Sequence, residues 1–246
     1  MSLIVQKYGG TSLANVDRII EVADRIIKRY KKGNDMVVVA SAMGNTTDQL
    51  IKKMNKVTQN PKPREADMLL TTGEQVSIAL LTMAIQNKGY PAVSLTGSQA
   101  KIKTDDEHNK AFIKEIDNSR IRDELKKDKI VVIAGFQGIN SKEDFTTLGR
   151  GGSDTTTIAL MASLEANSCE IYSDVEGIFT TDPRICSKAK KLDYLSYDEM
   201  LELSSLGANV LHPRAVELAK IYDLNLYIAS SFNNTKGTIV KGVDQM

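Results

Sequence analysis

Tryptophan is absent from this 246-residue chain and aromatic residues make up only 5% of it, leaving few stacking platforms for single-stranded nucleic acid. Charge of one sign is also lacking. The chain has 32 Lys and Arg against 31 Asp and Glu, a formal net +1, so no overall field draws in a polyanion or an anionic membrane surface. Cysteine is scarce: Cys169 and Cys186 form neither a disulfide framework nor a CxxC pair, which fits a reducing compartment. The two histidines, His108 and His212, have no partner at zinc-ligand spacing and are too few to favour a Ser/His catalytic pair. Long hydrophobic runs are missing too. The most apolar stretch, residues 76–85, is far short of a bilayer span and contains Ser77 and Thr82. The first residues enter a strand pattern directly, without signal-peptide architecture. The expectation is a soluble, cytoplasmic protein that binds neither nucleic acid nor membrane.

What is present is an alternation of apolar runs and helical stripes. Leu3-Ile4-Val5 with Gln6-Lys7-Tyr8 reads as a strand stopped by Gly9-Gly10. Val16, Ile19, Ile20, Ala23, Ile26, Ile27 and Tyr30 then recur at helical spacing, and Gly33 ends that helix behind four basic residues. Met36-Val37-Val38-Val39-Ala40 and Ile130-Val131-Val132-Ile133-Ala134 are unbroken apolar runs, the mark of strands buried on both faces. Residues 92–95, 169–172, 224–230 and 238–240 read as further strands, with short ones near Ile102 and over 112–116. Helical patterns cover a stretch with Leu50, Ile51, Met54 and Val57, residues 65–86 with a break near Thr71-Thr72-Gly73, and residues 121–127. They recur over 197–205 and from Pro213, which suits a first helical position. No internal repeat or low-complexity segment appears. The pattern predicts one α/β unit, a three-layer αβα sandwich around a mostly parallel sheet.

The most unusual stretch is Thr146-Thr147-Leu148-Gly149-Arg150-Gly151-Gly152-Ser153-Asp154-Thr155-Thr156-Thr157. Its glycines let backbone approach a ligand, and Ser153 or Asp154 is suited to cap the helix that follows. Arg150 supplies a fork for a carboxylate or a phosphate. On spacing alone, an ordinary capped turn explains it equally well. Other chemistry-bearing residues also fall at predicted strand ends: Lys7 with Gly9-Gly10, Ser41 with Gly44, 135–138, and Ser173-Asp174. In open α/β sheets ligands bind beyond the carboxyl ends of the strands. No GxxxxGK[ST], no GxGxxG after the first strand, no HRD or DFG triplet and no GxSxG elbow occurs, so a phosphate handler here uses another design.

Lys7-Tyr8-Gly9-Gly10-Thr11-Ser12, Ser41-Ala42-Met43-Gly44, Thr72-Gly73-Glu74, Gly135-Phe136-Gln137-Gly138, the glycine loop, Ser173-Asp174-Val175, Thr181-Asp182-Pro183-Arg184 and Val210-Leu211-His212-Pro213-Arg214-Ala215 together closely resemble the catalytic domain of the aspartokinases, in the amino-acid kinase superfamily. The resemblance runs over essentially the whole chain. It implies the acetylglutamate kinase/carbamate kinase-like fold, with residues 1–246 as one kinase domain. The part up to about residue 150 would be mainly substrate-binding and the remainder mainly nucleotide-binding. It also implies transfer of the γ-phosphoryl of ATP, with Mg²⁺, to the side-chain carboxylate of L-aspartate, the first step of lysine, threonine and methionine biosynthesis.

By that resemblance Lys7 would stabilise the transferring phosphoryl group beside the amides of Gly9 and Gly10, and Asp154 would organise the site. Arg150 would clamp a substrate carboxylate, Glu74 would meet the substrate ammonium, and Ser41, Thr47 and Ser153 would add hydroxyls. Ser173, Asp174, Phe179 and Arg184 would hold the nucleotide. No protein ligand to the metal is implied. Taken singly, each has an ordinary reading as an edge charge, cap, turn or core residue, and His212 before Pro213 reads as structural. Aspartokinases usually continue into ACT regulatory domains, and none is expected within these residues. A homo-oligomer or a separate ACT subunit is compatible with that, and turnover of this chain alone is expected to be insensitive to lysine and threonine. Asn209 stands where some members carry a basic residue. The alternatives are a kinase for glutamate or N-acetylglutamate, or a catalytically silent binding module. An acetylated substrate would offer Glu74 no ammonium.

Overall fold

A computed structural model describes residues 2–183, 185–206 and 210–243. The chain runs β1 (Ser2–Tyr8), a short 3₁₀ turn (Thr11–Leu13), α1 (Val16–Tyr30), β2 (Asn34–Ala40), α2 (Thr46–Val57), α3 (Pro63–Leu70) and α4 (Thr72–Asn87). It continues through β3 (Ala92–Leu95), β4 (Ile102–Thr104), β5 (Ile113–Ile116), α5 (Ser119–Leu125), β6 (Ile130–Ala134), β7 (Gln137–Ile139) and β8 (Phe145–Thr147). Then come α6 (Gly152–Leu164), β9 (Ser168–Ser173), β10 (Tyr194–Ser196), α7 (Tyr197–Ser205), α8 (Pro213–Ile221), β11 (Leu226–Ser230) and β12 (Thr238–Lys241).

Eight strands form the central sheet in the order β10-β12-β11-β9-β1-β2-β6-β3, and every neighbouring pair is parallel except β11 with β12. The all-apolar runs occupy its middle, as fully buried parallel strands must. Alternate side chains of one strand enter different cores. Met36, Val38 and Ala40 pack with Ile19, Ile26, Ile78 and Leu81 of α1 and α4. Val37 and Val39 pack on the other side with Ile158, Met161 and Leu164 of α6, in a core that also takes in Ile121 of α5, Met200 of α7 and Val216 of α8. The expected three-layer αβα sandwich is therefore present.

Local chemistry explains most element ends. Asn15 caps α1 by accepting from Arg18 N at 3.0 Å. Ser196 and Glu199 form a reciprocal capping box on α7. Pro213 takes the first position of α8, and His212 Nδ1 accepts from Arg214 N at 3.3 Å as the cap.

Several expectations need correction. A second sheet, ordered β5-β4-β7-β8, is built from strands of three or four residues. Of these, β7 and β8 read in the sequence as loop, because runs such as Gln137-Gly138-Ile139 are too short and polar to show a period. β10 was likewise invisible. Thr47 lies in the first turn of α2, ahead of the apolar stretch that marked this helix in the sequence. The helix after the glycine loop begins at Gly152, capped by left-handed Gly151, so neither Ser153 nor Asp154 is its cap. β5 and β11 begin at Ile113 and Leu226, slightly later than the patterns suggested. The expected break is present, since α3 ends at Leu70 and α4 starts at Thr72, but Thr71 keeps near-helical angles (φ −61°, ψ −18°) and residues Pro63–Asn87 form one stretch long and apolar enough, by length and composition, to cross a membrane. Half of its apolar window is buried inside the protein, against α1 and the sheet, as in a core helix.

Candidate active site

The predicted strand ends come together in one row. Tyr8 lies opposite Ala40 on one side and Tyr172 on the other, Ala40 lies opposite Ala134, and Ser173 lies opposite Ser230. Gly9, Ser41, Gly135, Asp174 and Ser231 are thus the next residues along one edge. The chain leaves β1 toward β2 on one side and returns with β9 on the other, so β1/β9 is the topological switch where such sheets open a ligand crevice.

Lys7 stands at that switch, only 9% exposed, and its Nζ lies 2.8 Å from Asp154 Oδ1 in the first turn of α6. A Cβ added to Gly9 would be 3.5 Å from the same Nζ, so the ammonium lies over bare glycine backbone. On the opposite face of the strands Tyr8 and Tyr172 stack with centroids 5.1 Å apart. Beneath them Glu170 accepts from Gln6 Nε2 at 2.7 Å and Tyr172 Oη at 3.0 Å, and pairs with Arg29. This network is a positional support that the sequence did not reveal. Its trace in the sequence is a polar residue inside each of two central strands, Gln6 in β1 and Glu170 in β9, which the register places opposite each other.

The Gly9 amide, assigned to phosphate by the resemblance, donates to Tyr172 O at 3.2 Å and ties the two strands together. Gly10 has no room for a side chain, since its Cβ would stand 2.9 Å from Ala42 O and 3.0 Å from Gly44 O. Gly44 N donates back to Gly10 O at 2.9 Å. The two glycine-bearing loops are thereby fused backbone to backbone.

Glu74 enters the same region from the first turn of α4, with 3% exposure. Its Oε1 accepts from Ala42 N at 3.2 Å, while Oε2 is buried without a hydrogen-bond partner among the described residues. Burial pushes this carboxyl up to about 8, against the lowering effect of two backbone amides. A buried carboxylate with one vacant oxygen is the arrangement expected where a cation is meant to arrive. Ser41 adjoins Ala42 and its carbonyl accepts from Ser77 Oγ at 2.8 Å, and Thr47 is half-buried on α2.

The glycine loop is held from several sides. Leu148 N donates to Phe136 O at 2.9 Å and Arg214 Nη1 donates to Leu148 O at 2.9 Å. Gly149 and Gly151 have φ of +74° and +70°. A Cβ on Gly151 would overlap the Cβ of His212 at 2.2 Å. The structural reading of His212 therefore gains a specific content: it caps α8 and abuts the loop. Arg150 projects from the loop, exposed. Ser153 lies against Gly135, where a Cβ would meet Ser153 Oγ at 2.7 Å.

On the β9 side Ser173 O accepts from Ser231 N at 2.8 Å and its Oγ accepts from Val175 N at 3.4 Å, with Asp174 exposed next to it. Phe179 is half-buried in an isolated antiparallel bridge with Lys191. Arg184 and Asn209 lie outside the described residues.

Among the described residues, no group of three or more His, Cys, Asp or Glu is placed to hold a metal ion. The site is thus a buried cation–carboxylate pair, a second buried carboxylate, an exposed arginine and several close glycine backbones along one sheet edge.

Known proteins resemble this chain in sequence and in fold. Aspartokinase from Geobacillus stearothermophilus is 57% identical over 241 residues, covering 98% of this chain and 59% of that protein. The chain thus spans about three-fifths of the length of the curated relatives it matches. The crystal structure of aspartate kinase from Synechocystis is 49% identical, with TM-score 0.88, over 98% of this chain and 40% of that one. Aspartokinase III of E. coli, solved in complex with aspartate and ADP, is 26% identical with TM-score 0.83, over 98% of this chain and 64% of that one. The model of the amino acid kinase family matches residues 2–230, from the first strand to the end of β11 and across every loop described above, and the chain belongs to that family.

Proposed function

We propose that this domain is the catalytic unit of an aspartate kinase, moving the γ-phosphoryl of ATP to the side-chain carboxylate of L-aspartate to give 4-phospho-L-aspartate. The observation that carries the reading is the pairing of Lys7 with Asp154 at the β1/β9 switch, 2.8 Å apart, with vacant Glu74 Oε2 on the same edge. Relatives named aspartokinase, and a neighbour solved with aspartate and ADP, support the choice of substrates.

A carboxylate nucleophile is ionised at neutral pH and needs no general base, so catalysis rests on positioning and on charge. Lys7 offers its ammonium to the transferring phosphoryl oxygens, and Asp154 fixes where that ammonium stands. Glu74 receives the substrate ammonium and Arg150 a substrate carboxylate, with hydroxyls from Ser41, Thr47 and Ser153. The substrate half therefore lies mainly before residue 150. Ser173 and Asp174 at the end of β9 bind the nucleotide, joined by Phe179 and Arg184 from the segment that follows. Gly10 lets the loops after β1 and β2 close on each other, which shapes the backbone on the phosphate side. Magnesium would come bound to the nucleotide as MgATP and would screen the charge of its phosphates. Such an enzyme works in the cytoplasm.

One assay tests this. The chain is incubated with MgATP, hydroxylamine and aspartate, glutamate or N-acetylglutamate, and the hydroxamate that traps an acyl phosphate is measured. Product with aspartate alone is expected. Product with another acceptor instead would reassign the substrate, and none from folded protein with any acceptor would leave a binding module.

A further inference from the structure

Asp67, on α3, is completely buried, and its carboxylate bonds to nothing in its own helix. Thr147 Oγ1 donates to its Oδ1 at 2.5 Å, and Asn109 N–H lies 3.1 and 3.0 Å from the two oxygens. His108 Nδ1 stands 2.7 Å from Oδ2. Every partner belongs to a segment beside the glycine loop. Thr147 ends β8 and is followed directly by Leu148-Gly149-Arg150. Asn109 is itself left-handed, φ +66°, and its carbonyl abuts Gly149, where a Cβ would stand 3.1 Å away. Ala111 N closes the arrangement by donating to Thr147 O at 2.9 Å.

The helix that carries Asp67 runs through Thr71 into α4, which carries Glu74. One stiff element therefore holds the carboxylate assigned to the substrate ammonium and, about two turns earlier, the anchor of the loop that presents Arg150. We propose that Asp67 and His108 are positioning residues that set the separation of Arg150 from Glu74. They would thereby set how firmly a substrate is gripped at once by its ammonium and by the carboxylate that does not receive the phosphoryl group. The inference rests on the roles proposed for Glu74 and Arg150. Neither Asp67 nor His108 touches substrate. They act through Asn109 and Thr147 on the turn at Gly149.

The test uses His108→Ala and His108→Asn in the whole 246-residue chain. The asparagine retains an N–H able to reach Asp67 Oδ2. For His108→Ala the aspartate KM is expected to rise roughly tenfold, as when a supporting group is lost away from the chemistry, with kcat and the ATP KM unchanged. Hydrogen exchange at the Leu148 and Gly152 amides, both bonded within the loop, should quicken in the ligand-free variant. His108→Asn should restore most of both. An unchanged aspartate KM with unchanged exchange overturns the proposal. So does a parallel loss in kcat and in both KM values with a lowered Tm, which marks general destabilisation. If the unmodified chain phosphorylates no aspartate, the functional reading falls and takes the assignment to Arg150 with it. If it does, and His108→Ala is indifferent, only the positioning role is lost.

Discussion

The Lys7 ammonium and the Asp154 carboxylate face each other at 2.8 Å, from the end of a central strand and the first turn of a distant helix, each side chain nearly buried. Such a pair is costly to desolvate and more costly to break. Lys7→Met should lower kcat at least about a hundredfold, as for a lost transition-state charge contact, while aspartate still binds. It should also destabilise the fold by about 3–5 kcal/mol, because Asp154 is left without its counter-charge. Adding Asp154→Asn should return much of that stability in thermal melts but none of the turnover. Undiminished kcat in the single variant would remove Lys7 from the mechanism.

Glu74 yields a prediction with a definite sign. Its carboxyl is raised from 4.5 to about 8 by burial, so it is mostly protonated at pH 7 in the ligand-free fold. A bound ammonium stabilises the ionised form. Aspartate binding at pH 7 should therefore release close to one proton, and none by pH 9.5. Calorimetry in buffers of different ionisation enthalpy measures this directly. Zero release at pH 7 would mean that no cation meets Glu74.

The same shift governs stability against pH. A group whose folded value lies above its unfolded one contributes most below the unfolded value, and that contribution is lost as pH rises through the folded value. For Glu74 the window runs from about 4.5 to about 8. Glu74→Gln, which mimics the neutral form, should gain thermal stability relative to the unmodified chain at pH 9, and less or none at pH 5. Melting curves of the two proteins at both pH values decide it. A constant difference in Tm would show that Glu74 does not titrate in this window.

Most of the central sheet was legible, because β2 and β6 carry unbroken apolar runs of five residues and β1 carries Leu3-Ile4-Val5 ahead of Gly9-Gly10, whereas its strand β10 was not. Of the second sheet, β4 and β5 were legible and β7 and β8 were not. Gln137-Gly138-Ile139 and Phe145-Thr146-Thr147 become strands by pairing with each other, and nothing within three residues announces a partner. The site divides the same way. Residues at strand ends could be collected by the rule that ligands sit there, but which ones touch depends on register and helix packing. Taken singly, Lys7 read as a solvated edge charge, and only the resemblance assigned it to the site; its burial against Asp154 depends on β9 and α6 being placed around it. Asp67 shows the remaining limit. It sits between Ala66 and Leu70 on the buried stripe of α3, and an acid on an apolar stripe was the one available signal. Only the fold reveals that its partners come from Thr147, His108 and Asn109.

Gly151 is the position where the glycine loop tolerates least. Its φ of +70° strains any L side chain, and a Cβ would fall 2.2 Å from His212 Cβ and 2.3 Å from its Cγ. Left-handed strain alone costs about 1 kcal/mol. The overlap forces α8 away from the loop, and with it the Arg214 bond to Leu148 O. Gly151→Ala should accordingly destabilise the fold by more than about 2 kcal/mol and raise the aspartate KM through Arg150. His212→Ala in the same chain should not rescue it, since the clash begins at the Cβ that alanine retains. His212→Gly should, in part, because it alone removes that atom. Equilibrium denaturation of the three variants distinguishes these outcomes. A Gly151→Ala chain as stable as the parent would show that the loop and the start of α8 are not in contact in solution.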